Sequence, residues 1–375
     1  MAVDLSGLTR GDEGSRRLFA ACLSSIEARR ADLPEGAPGR PTVLAQEGLH
    51  HLVVTELGPL RLMMNSDGLG TKVEVAERVG RYDTLAFDLL AMLVDDAVRF
   101  GAEPLCATNV LDIARADGEV IAGLARGLEA AAATAGIAIV GGEVAELGAR
   151  VAGRGASGGL NWAGTLLSLL RRGQELTGEL IAAGDSIVAI REPGLRSNGF
   201  TLARAVLQRA YGEAWHEAAA PSGIPFGEAL LTPSRIYAPA VLDLIGRATR
   251  DEPARAPVHA VVHVTGGGVP GKLERVLAPR GLGAVLDDLF APGEALAALQ
   301  ALGEVDDKAA YRTWNMGQGL LVVTPAPALV MAAFVARGHE ARIAGRVVAG
   351  RALHLVSRGC AHPGTTLTFE RKESP

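Results

Sequence analysis

The chain has 375 residues, of which 48% are apolar and 21% are charged, and its formal net charge is −5. This length and composition are typical of a globular protein with two domains. Acidic and basic residues are mixed along the chain, which excludes the basic stripe that nucleic-acid binding requires.

The sequence also argues against membrane insertion, secretion and a disulfide framework. The longest apolar run covers residues 328–336, far short of the ~18 residues of a membrane span. Residues 1–13 are charged and lack the apolar segment of a secretory signal. The three cysteines (Cys22, Cys106 and Cys360) are odd in number and widely spaced, which suits a reducing compartment. We therefore expect a cytoplasmic protein that binds neither membranes nor nucleic acids.

The first half of the chain alternates between helix and strand patterns. Helices are predicted around residues 16–29 and over 84–100 and 118–135, and strands over 60–66, 136–140 and 161–170. The strand at 60–66 runs into the tight loop Asp67-Gly-Leu-Gly-Thr-Lys72, and the strand at 136–140 leads into Gly141-Gly-Glu143.

The second half repeats the same pattern. Strands are predicted over residues 185–191, 258–264 and 319–324, and helices over 200–208, 230–247, 268–277 and 326–337. A strand, a glycine-rich loop and a helix recur in both halves, so the predicted fold class is α/β (α+β). We place an N-terminal domain at residues 1–171, a C-terminal domain at 172–345 and an appendage, with a composition typical of partial disorder, at 346–375.

One aspartate of the predicted helix 84–100 stands out by its helical phase. At ~100° per residue, Asp88 and Asp95 fall on one polar stripe, which we interpret as solvated surface. Asp96 falls among leucines, where a carboxylate requires a cation or strong donors. We therefore predict that Asp96 acts in metal binding or catalysis.

Two further acids, Asp67 and Glu143, follow apolar runs at glycine-bearing loops, where backbone approaches ligands closely. Three such acids can form an oxygen-rich Mg²⁺ site of the kind that accompanies nucleotide phosphates. Lys72 lies in a loop whose free N–H groups suit phosphate oxygens, although an ordinary tight turn explains the loop equally well. The loop does not match the P-loop pattern GxxxxGK[ST].

The second half contains two candidate anion sites. Thr265-Gly-Gly-Gly268 opens a predicted helix, so it is either a phosphate cradle or a structural turn. Arg196 precedes another helix and could hold a phosphate, while Ser197 or Asn198 could simply cap that helix. His259 and His263 lie on a predicted strand and are interpreted as core or edge histidines rather than metal ligands. No Ser/His/Asp or Cys/His arrangement supports nucleophilic catalysis.

The motifs occur in a fixed order over residues 60–345. They are SDGLGTK (66–72), YDTLAFDLLAM (82–92), GAEPL (101–105), VGGEVAE (140–146), RSNG (196–199), LTPSRIY (231–237), HVTGGG (263–268) and YRTWNMG (311–317). In this order and spacing they resemble those of the aminoimidazole ribonucleotide synthetase family, also called phosphoribosylformylglycinamidine cyclo-ligase.

The resemblance implies an activity and an assembly. The expected reaction is the ATP-dependent ring closure of formylglycinamidine ribonucleotide to aminoimidazole ribonucleotide in purine biosynthesis, with release of ADP and phosphate. ATP activates the formyl oxygen for departure, so catalysis consists of positioning and charge neutralisation. The resemblance also implies a homodimer in which the N-terminal mixed sheets pair near bound ATP, and a C-terminal sheet flanked by helices.

The matching positions assign roles to individual residues. The expected catalytic residues are Asp67, Lys72 and Asp96, and the expected Mg²⁺ ligands are Asp67, Asp96 and Glu143. ATP contacts are expected from Asp67, Gly68, Gly70, Thr71, Lys72, Asn109 and Glu143. Contacts to the phosphoribosyl amidine are expected from Arg196, Ser197, Asn198, Thr265, Gly266 and Gly267.

The chain departs from the family pattern at a few places. Position 196 is arginine where the family often has histidine, Asn109 replaces an aspartate, and no lysine precedes Lys72. Two alternatives to the cyclo-ligase therefore stay open. One is another ATP-dependent enzyme of the superfamily, such as selenophosphate synthetase or thiamine-monophosphate kinase; the other is a non-catalytic nucleotide-binding dimer.

Overall fold

Two mixed β-sheets organise the chain in a computed structural model that describes residues 6–47, 50–154 and 158–370. The helices of the first unit are α1 (Ser6–Asp32), α2 (Val73–Val79), α3 (Leu85–Val98) and α4 (Gly118–Ala135). Its strands are β1 (Pro41–Glu47), β2 (His50–Leu57), β3 (Leu60–Gly68), β4 (Glu103–Ile113), β5 (Ala138–Glu146) and β6 (Leu160–Arg171).

The second unit follows β6. Its strands are β7 (Ser186–Arg191), β8 (Ala260–His263), β9 (Leu282–Leu286), β10 (Gln318–Thr324), β11 (Ala341–Ala349), β12 (Leu353–Val356) and β13 (Thr366–Phe369). Its helices are α5 (Phe200–Tyr211), α6 (Phe226–Leu230), α7 (Ala238–Ile245), α8 (Gly268–Leu277), α9 (Glu294–Gly303), α10 (Asp307–Thr313) and α11 (Pro327–Ala336).

The first sheet has the strand order β1-β2-β3-β6-β4-β5, in which only β4 and β5 pair in parallel. Helix α3 packs across β3, β6 and β4 and also against α4. Helix α4 begins and ends where its sequence requires. The Asp117 carboxylate accepts from the N–H groups of Glu119 and Val120, and Gly136 adopts the left-handed conformation after the last turn. One face of the sheet is thus covered by helices.

The second sheet has the strand order β13-β12-β9-β11-β7-β10-β8. Strand β10 pairs with both β7 and β8, and all of its residues are buried, as in an interior strand of a covered sheet. Helix α11 packs on β7, β10 and β11, and α8 packs on β8 and β9. The predicted α/β (α+β) class with a flanked C-terminal sheet is confirmed.

Three local predictions were wrong. The appendage predicted at 346–375 belongs to the second unit as far as residue 370, because β11 continues to Ala349 and β12 and β13 add two strands to the second sheet. The helix predicted over 230–247 begins only at Ala238, because residues 231–237 form an irregular segment against the first unit. Glu143 lies inside β5 rather than in a loop.

None of the helices in the described part of the chain combines the length and apolar character needed to cross a lipid bilayer.

Candidate functional site

Two buried ion pairs lie where α3 meets the second unit. Lys72 follows the glycine-bearing turn after β3, and its side chain is fully buried. Its Nζ lies 2.7 Å from Asp88 Oδ2 and donates to the Thr232 carbonyl at 2.9 Å. The Ser234 hydroxyl donates to the other oxygen of Asp88. The Lys72 ammonium is therefore paired with groups inside the protein, contrary to the expectation that it faces a phosphate.

The second ion pair centres on Arg196. Its guanidinium lies 2.8 Å from Asp95 Oδ2 and 2.9 Å from Glu192 Oε2, and it also donates to the Arg235 carbonyl. Although burial alone lowers the pKa of Arg196, the carboxylates of Asp95 and Glu192 raise it above its usual value. All three side chains are almost completely buried. Arg196 is thus held inside the protein and is not available to a substrate phosphate, contrary to the expectation.

Asp95 also holds the start of α7. Its Oδ1 accepts from the N–H groups of Tyr237 and Ala238, each at 2.9 Å. These are backbone donors that a helix start leaves without an intrahelical partner. The interpretation of Asp88 and Asp95 as solvated surface was therefore wrong, because residues 231–238 cover this stripe of α3.

The same network fixes the protonation of His263. Its Nε2 lies 2.9 Å from a guanidinium nitrogen of Arg196, and its Nδ1 lies 2.7 Å from Asp96 Oδ1. Arginine can only donate, so Nε2 accepts and Nδ1 carries the proton that is donated to Asp96. Burial lowers the pKa of His263, and the charge of Arg196 lowers it further, against the opposing effect of Asp96. His263 is thus a neutral link between Arg196 and Asp96.

Asp96 is the acid of α3 that remains accessible. Its side chain keeps 26% of its exposure, whereas Asp88 and Asp95 have none. Burial opposes its ionisation, but Arg99, the hydrogen bond from His263 and the charge of Lys272 together lower the pKa of Asp96. The helical phase thus identified Asp96 as distinct from Asp88 and Asp95. The reason given was wrong, because Asp96 was expected to be the buried acid and is instead the most exposed of the three.

Asp67 and Lys272 lie beside Asp96. Burial raises the pKa of Asp67 to about 6, and the carboxylate of Asp96 adds to this rise. The Gly68 N–H, which donates to Asp67 at 2.7 Å, and the charge of Lys272 oppose it. The end of β3, the last turns of α3 and the middle of α8 therefore bring two carboxylates and one ammonium close enough for their charges to interact.

The glycine-rich turn before α8 begins two residues after His263, whose ring donates to Asp96. Gly267 and Gly268 have positive φ angles of 93° and 61°. A side chain on Gly268 would collide with the Tyr311 carbonyl, so this glycine is needed for packing. A Cβ on Gly266 would instead lie 3.6 Å from the Asn198 side-chain oxygen. Thr265, Gly266, Gly267 and Asn198 are thus brought together, whereas the Ser197 hydroxyl is buried without a hydrogen-bond partner among the described residues.

Gly70 and Thr71 lie on the other side of the turn that carries Lys72. They are exposed and line a cavity of about 320 Å³, together with the guanidinium groups of Arg154 and Arg204. The turn is left-handed at Gly70, where φ is 58°. Glu74 and Glu77 also line the cavity, and Glu74 lies 2.8 Å from the Arg204 guanidinium, so the charge of this lining is mixed.

Glu143 does not join Asp67 and Asp96. In the sheet register it pairs with Val110, while Asp67 pairs with Gly164 and Asn109 with Gly142. Because side chains alternate between the faces of a sheet, Glu143 lies on the face away from α3. Asn109 lies on the α3 side, where its Oδ1 accepts from the Trp162 indole at 2.9 Å. Among the residues that the structure describes, no three His, Cys, Asp or Glu side chains form a metal cluster.

Sequence reasoning missed three residues of this site. His263 was interpreted as a core or edge histidine, and Glu192 and Lys272 were assigned no role. The available signal was Lys272 itself, since a rare lysine four residues after a glycine-rich turn is placed on the first turns of the following helix.

Comparisons with known proteins identify both units. Residues 52–165 match the family described as AIR synthase related protein, N-terminal domain, and residues 182–357 match its C-terminal domain. The phosphoribosylformylglycinamidine cyclo-ligase of Sorangium cellulosum is 40% identical over 290 residues, covering 76% of this chain and 80% of that protein. The enzyme of the same name from Methanocaldococcus jannaschii is 33% identical over 317 residues, covering 82% and 81%.

Solved structures share the fold at low identity. Thiamine-monophosphate kinase from Stenotrophomonas maltophilia has a TM-score of 0.55 at 19% identity and covers 89% of this chain and 95% of that one. E. coli HypE has a TM-score of 0.56 at 19% identity, covering 96% and 98%. T. maritima PurL, complexed with ATP, has a TM-score of 0.53 at 13% identity, covering 87% and 46%.

Proposed function

The chain belongs to the AIR synthase family, and we propose that it performs the ring closure of this family in the cleft between its two units. Its relatives carry the name phosphoribosylformylglycinamidine cyclo-ligase over most of the chain. It is accordingly a ligase of purine biosynthesis, which forms aminoimidazole ribonucleotide from formylglycinamidine ribonucleotide. The proposed location is supported by the interacting charges of Asp67, Asp96 and Lys272 near the turn at residues 265–268.

The residues of the cleft fit a Mg²⁺ ion that arrives with ATP. Mg²⁺ is commonly bound by one or two carboxylates together with substrate phosphates and water. Asp67 and Asp96 supply two carboxylates, and their mutual repulsion contributes to the raised pKa of Asp67. A divalent cation would relieve this repulsion. Glu143 does not fit such a site within one chain because it lies on the opposite face of the sheet.

Bound ATP would supply the phosphoryl group that turns the formyl oxygen into a leaving group. Lys272 would neutralise phosphate charge beside the two acids, and the backbone N–H groups of Gly266 and Gly267 in the turn before α8 would hold phosphate oxygens. Asn198 faces the same turn and offers both a donor and an acceptor to the amidine. Gly70 and Thr71, which are exposed, would contact the nucleotide through their backbone, as the family resemblance implies. Each of these groups acts by positioning and by charge neutralisation.

We also propose a homodimer formed by the uncovered face of the first sheet. Met64 on β3 and Val110 on β4 are 66% and 48% exposed, and Leu167 lies between their strands, paired with Met64. The hydroxyl pair of Ser66 and Thr165 lies between these apolar positions, and exposed apolar side chains on a sheet face favour an interaction surface. Glu143 lies on the same face beside Val110, so sheet pairing would bring it to the interface, where family resemblance implies ATP. The free cysteines (Cys22, Cys106 and Cys360) suit a cytoplasmic location.

The function is tested by incubating the purified chain with formylglycinamidine ribonucleotide, ATP and Mg²⁺. We expect aminoimidazole ribonucleotide, measured by colorimetric diazotisation, and ADP in equal amounts. ADP release without the amine would favour another ATP-dependent enzyme of the superfamily, and the absence of both products would favour a non-catalytic nucleotide-binding protein. Sedimentation at the assay concentration tests the dimer, and Met64→Glu should shift it towards monomer.

A further inference from the structure

A second cavity lies between the units, apart from the catalytic cleft. It has a volume of about 480 Å³, which is within the range of small-molecule sites. Phe87 and Thr134 line it from the first unit, and Pro193, Arg235, Arg337 and His339 line it from the second. Its wall is therefore partly apolar and partly basic.

The charge of this cavity is one-sided. None of its lining residues that the structure describes is acidic. Arg337 makes a two-fold contact with Asp243, which lies outside the lining and is shared with the guanidinium of Arg247, so one carboxylate faces two cations. Arg235 forms no ion pair within the described chain, and its guanidinium donates only to the Gly338 carbonyl at 3.4 Å. A half-buried guanidinium with one long contact keeps most of its donors for another partner.

The two arginines also affect the pKa of His339, which lines the same cavity. Burial lowers the pKa of His339 to about 4, and the charges of Arg235 and Arg337 contribute to this shift. The ring packs 5.1 Å from that of Tyr237, and its Nδ1 has no hydrogen-bond partner among the described residues. An anion in the cavity would stabilise these groups, whereas a cation or a purely apolar ligand would not.

We propose that this cavity binds a small phosphate monoester, with the phosphate on Arg235 and Arg337 and the organic part against Phe87 and Pro193. A guanidinium presents parallel donors that match phosphate oxygens. The proline and phenylalanine surfaces would cover an uncharged ring or chain. The site is distinct from the catalytic cleft, which is built by Asp67, Asp96 and Lys272.

Its position also connects the cavity to the interdomain contacts. The segment that carries Arg235 contacts both ion pairs, since the Ser234 hydroxyl donates to Asp88 and the Arg235 carbonyl accepts from Arg196. A ligand bound to the Arg235 side chain would therefore contact the segment that holds α3 against the second unit.

The test uses phenyl phosphate as the probe and isothermal titration calorimetry on the full chain, with ADP and Mg²⁺ in excess to occupy the catalytic cleft. We expect phenyl phosphate to bind and phenol not to bind. Arg235→Gln should weaken binding by about tenfold or more, and Arg235→Lys should weaken it less, because the charge is kept and the fork is lost. The matched control is Arg209→Gln, since the Arg209 guanidinium likewise donates to a single backbone carbonyl, that of Leu302.

Arg209→Gln should leave the affinity unchanged. The proposal is overturned if phenyl phosphate fails to bind the wild-type chain, if phenol binds equally well, or if Arg235→Gln and Arg209→Gln have equal affinities. Should Arg235→Gln lower the melting temperature, Arg337→Gln provides the second variant, since it removes the other guanidinium; unchanged affinity in that variant would also contradict the site.

Discussion

Substituting asparagine for each of the neighbouring acids Asp95 and Asp96 should separate stability from catalysis. Asp95→Asn keeps an oxygen for the N–H groups of Tyr237 and Ala238 but places an NH₂ group against the guanidinium of Arg196. Removing one partner of a buried ion pair costs ~3–5 kcal/mol. Because Glu192 still pairs with Arg196, we expect the lower end of this range, ~3 kcal/mol.

This loss is measurable as a change in melting temperature. An unfolding entropy of ~2.1 cal/mol/K per residue gives ~0.8 kcal/mol/K for 375 residues, so ~3 kcal/mol corresponds to ~4 °C if the chain unfolds as one unit. Asp96→Asn should lower the melting temperature less than Asp95→Asn does, because the side chain keeps partial exposure and the amide oxygen can still accept from His263. It should nevertheless abolish formation of aminoimidazole ribonucleotide and weaken Mg²⁺ binding.

The assay is differential scanning calorimetry of both variants beside a Mg²⁺ titration and the product assay. Asp95→Asn should retain Mg²⁺ binding below its melting temperature. The reasoning is refuted if Asp95→Asn melts like the wild type, or if Asp96→Asn is the less stable variant and keeps its activity.

Three further variants test the roles assigned here. Lys72→Met should lower the melting temperature by several degrees, because it leaves the Asp88 carboxylate buried without its ion-pair partner. The double variant Lys72→Met with Asp88→Leu should recover most of this loss. A normal melting temperature of Lys72→Met with no turnover would instead support a phosphate-binding role for Lys72. The pKa of Asp67 is raised from 3.8 to about 6, so ionised Asp67 destabilises the fold above that pH. Asp67→Asn should therefore stabilise the metal-free chain by up to ~3 kcal/mol at pH 8 but not at pH 4. Urea unfolding at both pH values measures this difference. Lys272→Met should raise the KM for ATP more than it lowers kcat, and Lys272→Arg should restore part of the affinity; steady-state kinetics in which only kcat falls would contradict ground-state binding by Lys272.

Much of the fold was predictable because its signals are local. The strand at Leu60 and the helices α3 and α4 follow from apolar periodicity, from the cap at Asp117 and from the left-handed glycine at position 136. The order of motifs was sufficient to identify the family, which the comparisons confirm. Local signals of this kind need no knowledge of which distant segment covers which face.

The candidate site was less predictable because its contacts join residues far apart in sequence. A helical wheel gives the relative directions of Asp88, Asp95 and Asp96 but not which direction faces solvent. In the structure, residues 231–238 cover the polar stripe, so two charges are buried in ion pairs with Lys72 and Arg196. The sequence does not indicate which basic residue pairs with which acid of α3. These pairs become apparent only when the units are packed together.

Arg196 shows how a departure from a family motif can be misinterpreted when its surroundings are unknown. Because arginine does not act as a base, the sequence suggested that it binds substrate. The structure places it at a φ of 59° in the left-handed region, almost fully buried, with its donors used by Asp95, Glu192 and His263. Since arginine is always a donor, it forces the proton of His263 onto Nδ1 and so towards Asp96. A residue at position 196 therefore influences the cleft through His263, two hydrogen bonds away from Asp96, without contacting the substrate.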